Sequence, residues 1–377
     1  MAAGEGAPTR VLHVIGAMDR GGAEALIMNV FRSIDRTRLQ FDFLEHEERE
    51  CAYDAEIREL GGSIYHLPRF VGANILEYRS RCRHFFAEHG DYSVVHGHIG
   101  SCAAIYLSEA RRAGLYAVAH SHNTNNRDLA RIPFAVVSYP TRYVADAFFA
   151  CSLGAGIDRF GRKDVSGPHF RIVNNGIILE RYRFSERRRR VARSELGIAD
   201  DAPLLCHVGR FVPQKNHQFL LEMFSRVVER RPDVRLVLVG GGPLERETRG
   251  LAQELGVSSR ILFLGVREDV ASILMAADAF VFPSLWEGLG IAAIEAQATG
   301  LPCLLSSSLP PLSKVSDGAS FLSLGEGPQR WAAAAIDLLE AGCDDRSAQV
   351  EAVRNAGFDI VDTAEKLSSF YRTHELW

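Results

Sequence analysis

Residues 204–228 read LLCHVGRFVPQKNHQFLLEMFSRVV: a continuous apolar run, a glycine-led turn carrying two cations, and then a helical repeat. Leu204 to Val208 lacks the alternation of a half-buried strand and suits one buried on both faces. Leu220, Met223, Phe224, Val227 and Val228 then recur at i, i+3, i+4, i+7 and i+8, with Asn216 placed to cap the helix they form. A buried strand followed by a helix that covers it is the repeating unit of a parallel α/β sheet.

Outward from this stretch the alternation recurs in both directions. Arg235 to Val239, Arg260 to Leu264, Ala279 to Phe282 and Pro302 to Leu305 read as further buried strands. Upstream, the strand candidates are Arg10 to Ile15, Gln40 to Leu44, Ser63 to Leu67, Ser93 to His96, Leu115 to Ala119, Phe148 to Ser152 and Phe170 to Val173. Between the two series, Arg181 to Arg193 is rich in arginine and nearly free of aliphatic residues, which reads as a solvated linker helix and puts a boundary near residue 185.

At 377 residues the chain exceeds the usual size of one hydrophobic core, and its 47% apolar content is that of an ordinary globular protein, so two domains are expected. A net charge of −4 provides no field that would gather nucleic acid, and a small or neutral partner is expected instead. No apolar run approaches the roughly 20 residues that cross a bilayer, and the first ten residues read as a tail without the apolar core of a signal peptide. Seven cysteines without a C-x-x-C pair fit a reducing cytoplasm, with Cys206 and Cys303 as buried filler. Segment Arg79 to Phe86 could touch the inner membrane surface peripherally, but an ordinary amphipathic helix is the favoured reading.

Five segments could carry chemistry. Gly16-Ala-Met-Asp-Arg-Gly21-Gly22-Ala-Glu24 follows the first strand and opens a helix, where glycines let backbone N–H groups approach an anion. It is neither a Walker loop nor a dinucleotide fingerprint, and a tight turn explains it equally well. Gly209-Arg210 and Lys215-Asn216 place two cations beside a helix N-terminus, an arrangement suited to a diphosphate. Gly240-Gly241-Gly242-Pro243 ends a strand and opens a helix with proline at its first position, and the turn alone accounts for it.

The fourth segment runs from Trp286 to Pro302 and holds Glu287-Gly288-Leu289-Gly290 and Glu295. If the helix starts near Gly290, eight residues of helical rise separate the acids by roughly 12 Å. A glycosidase carboxyl pair needs about 5–10 Å, so the two suit separate hydroxyl-bearing parts of one extended ligand. The fifth comprises His96 with His98 and His120 with His122 and Asn123, each pair at a strand end and each pointing one way by alternation. No acid stands beside either pair, so hydrogen bonding to a sugar or leaving group is preferred to a metal.

Taken together, Gly209-Arg210, Lys215-Asn216 and the E-x7-E segment from Glu287 to Glu295 resemble family 4 glycosyltransferases of the GT-B fold, particularly bacterial capsular and exopolysaccharide members. The resemblance spans nearly the whole chain. It implies two Rossmann-like domains with parallel sheets facing across a cleft: an acceptor-side domain over 1–185, a nucleotide-sugar domain over 186–360, and a closing helix over 361–377 packing back on the first. Arg210 and Lys215 would bind the donor diphosphate, with Gly209 beside them; Glu295 would bind the ribose, Glu287 the transferred sugar, and Gly265, Val266 and Arg267 would lie against the base. Gly21 and Gly22 would approach phosphate or acceptor, and His120, or His122 a register step away, would face the donor sugar and leaving group.

The resemblance further implies a retaining, metal-independent transferase with no bound cofactor, moving a sugar from a UDP-sugar to a glycan or polyprenyl-linked acceptor in the cytoplasm. Competing readings are a GT-B nucleotide-sugar epimerase and a non-catalytic nucleotide-sugar-binding subunit; the E-x7-E segment and the intact cations favour transfer.

Overall fold

The computed structural model describes residues 7–122, 139–342 and 345–377; Asn123, Cys343 and the first six residues of the tail lie outside them. The chain divides into two compact units, Met1–Ile177 with Phe358–Trp377, and Ile178–Gly357.

The first unit is built on seven parallel strands: β1 (Thr9–Ile15), β2 (Leu39–Glu45), β3 (Ile64–His66), β4 (Val94–Gly97), β5 (Tyr116–Ser121), β6 (Ala147–Ala150) and β7 (Phe170–Ile172). Their order is β3-β2-β1-β4-β5-β6-β7. Strand order reverses between β1 and β4, and the crevice outside the carboxyl ends of such strands is where open α/β sheets bind ligands. Helix Ile75–Glu88 buries Tyr78, Cys82, Phe85 and Phe86 against this sheet, while Arg79 and Arg83 both grip Glu109. Its aromatic face is core, so the segment is the ordinary amphipathic helix.

Phe358–Trp377 completes this unit. Ile177 N–H donates to Phe358 O at 2.8 Å and Ile360 N–H to Ile177 O at 3.1 Å. Helix Ile360–Thr373 then buries Leu367, Phe370 and Tyr371, with Asp359 accepting from Val361 N–H as its N-cap.

The second unit has six parallel strands: β8 (Leu204–Val208), β9 (Arg235–Val239), β10 (Ile261–Phe263), β11 (Ala279–Phe282), β12 (Cys303–Ser306) and β13 (Ala319–Leu322), ordered β10-β9-β8-β11-β12-β13. Its reversal falls between β8 and β11. Leu204 and Cys206 pack into the core on one face, and Leu205 packs with Leu220, Met223 and Phe224 on the other. This two-sided burial is why β8 reads as a continuous apolar run. Cys206 and Cys303 are fully buried, as expected of filler thiols.

Three local expectations are corrected. Asn216 precedes helix His217–Arg230 but caps nothing through its side chain; its backbone is left-handed (φ 56°, ψ 47°) after the turn Pro213–Lys215, a conformation asparagine tolerates. Pro243 is not the first helical residue, because the helix opens at Glu245 after Gly240 and Gly242, both at positive φ. The arginine run is only partly solvated. Arg187 and Arg190 are exposed, whereas Arg193 is buried and donates to Ala276 O at 2.6 Å and Ala199 O at 2.6 Å. Arg189 donates to the carbonyls of Met275, Ala276 and Ala277 and pairs with Asp278 at 2.6 Å. These guanidiniums satisfy the carbonyl end of helix Val270–Ala276, where cations complement the dipole.

Candidate functional site

In the second unit the loops after β8 and β11, the two strands at the reversal, are laced together. Leu285 N–H donates to Gln214 O at 2.9 Å, and Gln214 Nε2 donates to Trp286 O at 2.9 Å and to Glu287 Oε2 at 3.0 Å. Lys215 Nζ donates to Glu287 Oε1 at 2.6 Å, with side-chain exposures of 15% and 8%. The ammonium also lies 4.6 Å from the centroid of the Phe282 ring. The resemblance assigns Lys215 to a diphosphate and Glu287 to a sugar; here the two form one charge-assisted pair that holds both loops in register.

Glu295 sits in the second turn of helix Ile291–Ala298, whose N-cap, Gly290, is left-handed at φ 80°. Its Oε1 accepts from Tyr182 O–H at 2.6 Å. Burial lifts the Glu295 carboxyl to about 7, with the Tyr182 hydrogen bond pulling the other way. Glu287 and Glu295 share no hydrogen-bond partner among the described residues. Leu289 is buried, so this turn can offer a ligand only its backbone. The turn is braced from below: Ser313 Oγ donates to Leu289 O, and Gln297 donates to Ser313 O at 2.7 Å while accepting from Val315 N–H at 2.8 Å.

Arg210 is exposed and makes no ion pair with any described residue. Gly209 N–H donates to Val239 O at 2.9 Å, and Gly240 N–H to Gly265 O at 2.8 Å, so β8, β9 and β10 end at one level. Gly265 turns at φ 66°, and Val266 beyond it is 63% exposed, an apolar side chain held in solvent at a strand end. Arg267 is paired with Asp269 at 2.7 Å.

In the first unit, Gly21 is the N-cap of helix Gly22–Ser33 and offers no side-chain cap, while Asn175 Nδ2 donates to Gly22 O at 3.2 Å. The loop before this helix is tied to β2, since Met18 N–H donates to Glu45 Oε2 at 3.4 Å. Glu45 is fully buried, and burial together with the nearby Asp54 carboxylate pushes its carboxyl up to about 7. A raised acid binds an extra proton in the folded state between the ordinary value near 4.5 and about 7, so stability is full below that window and falls as pH rises through it. Glu45→Gln is expected to flatten this slope and to raise stability at pH 8 by about 1–3 kcal/mol. Urea unfolding at several pH values checks it; a variant as pH-dependent as the parent would refute the assignment.

His120 is buried at the end of β5, and both histidine pairs do project to one side, with ring centroids 4.4 Å apart for His96 and His98 and 4.0 Å for His120 and His122. The sheet stacks the two pairs on each other and on His13, with ring nitrogens of His98 and His122 2.8 Å apart, His13 and His98 3.0 Å, and His96 and His120 3.1 Å. The sets His13, His96, His98 and His98, His120, His122 each bring three ring nitrogens within 4.8 Å of one another. Two nitrogens on one tetrahedral zinc at 2.0–2.1 Å would stand about 3.4 Å apart, so the closest contacts have hydrogen-bond spacing. Burial drives His96, His98 and His120 well below the usual imidazole range and His122 to about 4, which keeps the rings neutral.

Gln214, Tyr182 and His13 enter these arrangements without having been singled out in the sequence, as does Tyr371, whose hydroxyl lies 2.6 Å from His96 Nδ1. Gln214 lies inside the β8 turn and His13 interrupts the apolar run of β1, so both left a trace; the tyrosines read as ordinary core.

The "Glycosyl transferases group 1" family model matches residues 188–356. Over 372 residues the chain is 36% identical to EpsF of Bacillus subtilis (strain 168), named as a glycosyltransferase, covering 96% of each chain. It is 30% identical over 229 residues to the UDP-Gal:alpha-D-GlcNAc-diphosphoundecaprenol alpha-1,3-galactosyltransferase of Escherichia coli, covering 57% of this chain and 58% of that one. Among solved structures, Anabaena Alr3699/HepE in complex with UDP and glucose superposes with a TM-score of 0.79 at 19% identity, over 97% of this chain and 100% of that one. At that identity the likeness establishes the fold alone.

Proposed function

The chain belongs to the group 1 glycosyl transferases and has the GT-B fold, and from that premise we propose that it is a retaining hexosyltransferase. Its donor would be a nucleoside diphosphate sugar, UDP-linked in the first instance, and its acceptor a glycan or polyprenyl-linked saccharide of a surface polysaccharide. The observation that carries the reading is the buried Lys215–Glu287 pair, which sets a cation and an acid at the strand-order reversal of the second unit. The E. coli relative, whose name specifies a UDP-sugar donor and a diphosphoundecaprenol acceptor, supports the substrate classes.

In this reading Arg210 and Lys215 take the diphosphate, with Gly209 close by, and Glu287 takes the transferred sugar above Gly288, Leu289 and Gly290. Glu295 takes the ribose, with Gly265, Val266 and Arg267 beside the base, while Gly21 and Gly22 approach phosphate or acceptor. His120 faces the sugar and leaving group. The bond from the anomeric carbon to the phosphate oxygen breaks, its electron pair leaves with the diphosphate, and preorganised positive charge stabilises that departure. The acceptor oxygen bonds the same carbon from the same face and its proton passes to the departing phosphate, so neither an enzyme nucleophile nor a metal is required. No helix among the described residues is long and apolar enough to cross a membrane.

The test is incubation with a panel of nucleotide sugars, with and without a lipid-linked acceptor. The expected result is diphosphate release coupled to a product of retained anomeric configuration. Inverted product, or a trapped covalent glycosyl-enzyme, would overturn the mechanism. An epimerised donor formed without acceptor would instead favour the epimerase reading.

A further inference from the structure

Two files of imidazoles climb one face of the first unit's sheet toward the carboxyl ends of its strands. His13 and His96 stand level in register; His98 lies two residues further along the chain from His96, and His122 two further than His120. One file runs from His13 Nδ1 to His98 Nε2 at 3.0 Å and from His98 Nδ1 to His122 Nε2 at 2.8 Å. The other starts at Tyr371 of helix Ile360–Thr373: its hydroxyl lies 2.6 Å from His96 Nδ1, and His96 Nε2 lies 3.1 Å from His120 Nδ1. His120 Nε2, at the upper end of this file, is buried and has no partner.

We propose that Tyr371, acting through His96, holds His120 as the tautomer protonated on Nε2, so that His120 presents a hydrogen-bond donor to the sugar or its departing phosphate. The assignment follows from counting protons. Tyr371 is 1% exposed, and His96 is the one hydrogen-bond partner of its hydroxyl among the described residues. If the phenol accepted from His96, its own O–H would stay buried and unmade with or without ligand, whereas a proton on the buried, unpartnered His120 Nε2 goes unmade only until an oxygen of the donor accepts it. The phenol therefore donates, and His96 Nδ1 accepts. A neutral imidazole that accepts on one nitrogen carries its proton on the other. His96 Nε2 thus donates to His120 Nδ1, and the remaining proton of His120 sits on Nε2. Burial keeps both rings neutral, so a second proton does not blur the choice.

The other file has no such anchor, because His13 Nε2 at its foot is buried without a partner. Only the file that ends on His120 has its direction set from below. Tyr371 is a positioning residue here, comparable to a group that fixes the tautomer of a ligating or catalytic histidine. The inference rests on the proposed placement of His120 against the donor, but the tautomer itself can be read without turnover.

The experiment is nitrogen-15 NMR of imidazole-labelled protein near pH 7, with His120→Gln to assign the resonances, alongside kinetics of Tyr371→Phe. The parent should show His120 protonated on Nε2 alone. Tyr371→Phe keeps the buried ring, and should show a mixture of His120 tautomers with kcat lowered about tenfold and the donor KM nearly unchanged. A parent His120 protonated on Nδ1, or an unchanged tautomer in Tyr371→Phe, would overturn the proposal. So would one equivalent of zinc retained through dialysis and lost in His120→Gln, since the nitrogens would then be metal ligands. If His120→Ala transfers sugar at the parental rate, the placement of His120 against the donor fails while the tautomer measurement stands.

Discussion

Lys215→Ala is expected to lower glycosyl transfer by about 10²–10³-fold, the usual consequence of removing one preorganised charge aimed at a leaving group, and to weaken UDP binding at least tenfold. The same substitution strips Glu287 of its ion pair. A carboxylate that is 8% exposed would then rely on Gln214 for its remaining hydrogen bond. Breaking a buried pair costs about 3–5 kcal/mol; the residual exposure of Lys215, 15%, brings the expectation here to about 2–3 kcal/mol. Loss of activity alone would therefore not separate a binding role from a structural one. The double variant Lys215→Ala, Glu287→Ala does separate them. With both charges gone, stability should recover much of what the single variant lost, whereas transfer should stay at the low level of either single variant. Urea unfolding with titration calorimetry of UDP measures both, and parental UDP affinity in Lys215→Ala would sink the phosphate assignment.

Gly240→Ala is expected to cost about 2–6 kcal/mol and to abolish donor binding, although residue 240 contributes no side chain to the site. Its φ of 137° lies where side chains rarely go, and a Cβ there would stand 2.1 Å from Gly209 O. Strain of that kind costs about 1–3 kcal/mol, and the overlap with the carbonyl of Gly209, whose own N–H is bonded to Val239 O, adds about 1–3 more. Relief would require moving Gly209 and Arg210 away from the end of β9, which breaks the bond from Gly209 N–H to Val239 O. A variant that unfolds at the parental urea midpoint would show that this close approach is not what the glycine serves.

The strands were legible because burial on both faces writes itself as unbroken apolar sequence. β8, β9 and β11 fall where composition alone puts them, and the others except β13 lie within a residue or two. β13 was not legible. Ala319–Leu322 is an edge strand with only Ala319 fully buried, and four residues of mixed exposure resemble any loop. The placing of Glu287 in the loop and Glu295 in the second helical turn could be read from the glycines between them, but the pairing of Lys215 with Glu287 could not, since it depends on two loops converging across 72 residues of sequence. Arg193 was misread for a related reason. A basic run looks solvated until a helix end, here the carbonyls of Val270–Ala276, is brought against it. Tyr182 and Tyr371 left no signal, because a tyrosine at a helical position is indistinguishable from core until its hydroxyl finds an acceptor.

The first unit is discontinuous along the chain, and that bears on biosynthesis. As the polypeptide leaves the ribosome, β1 to β7 emerge early, yet Phe358–Trp377 follows only after about 180 residues of the second unit. At about 5–20 residues per second that interval lasts on the order of ten to forty seconds. Throughout it the face that will receive Leu367, Phe370 and Tyr371 is uncovered, and His96 lacks its phenol. A nascent chain therefore carries a sticky apolar surface for about half of its synthesis, which makes it a natural client for chaperones. A stop codon in the final helix would strand the protein in that state, with the machinery of the second unit already formed.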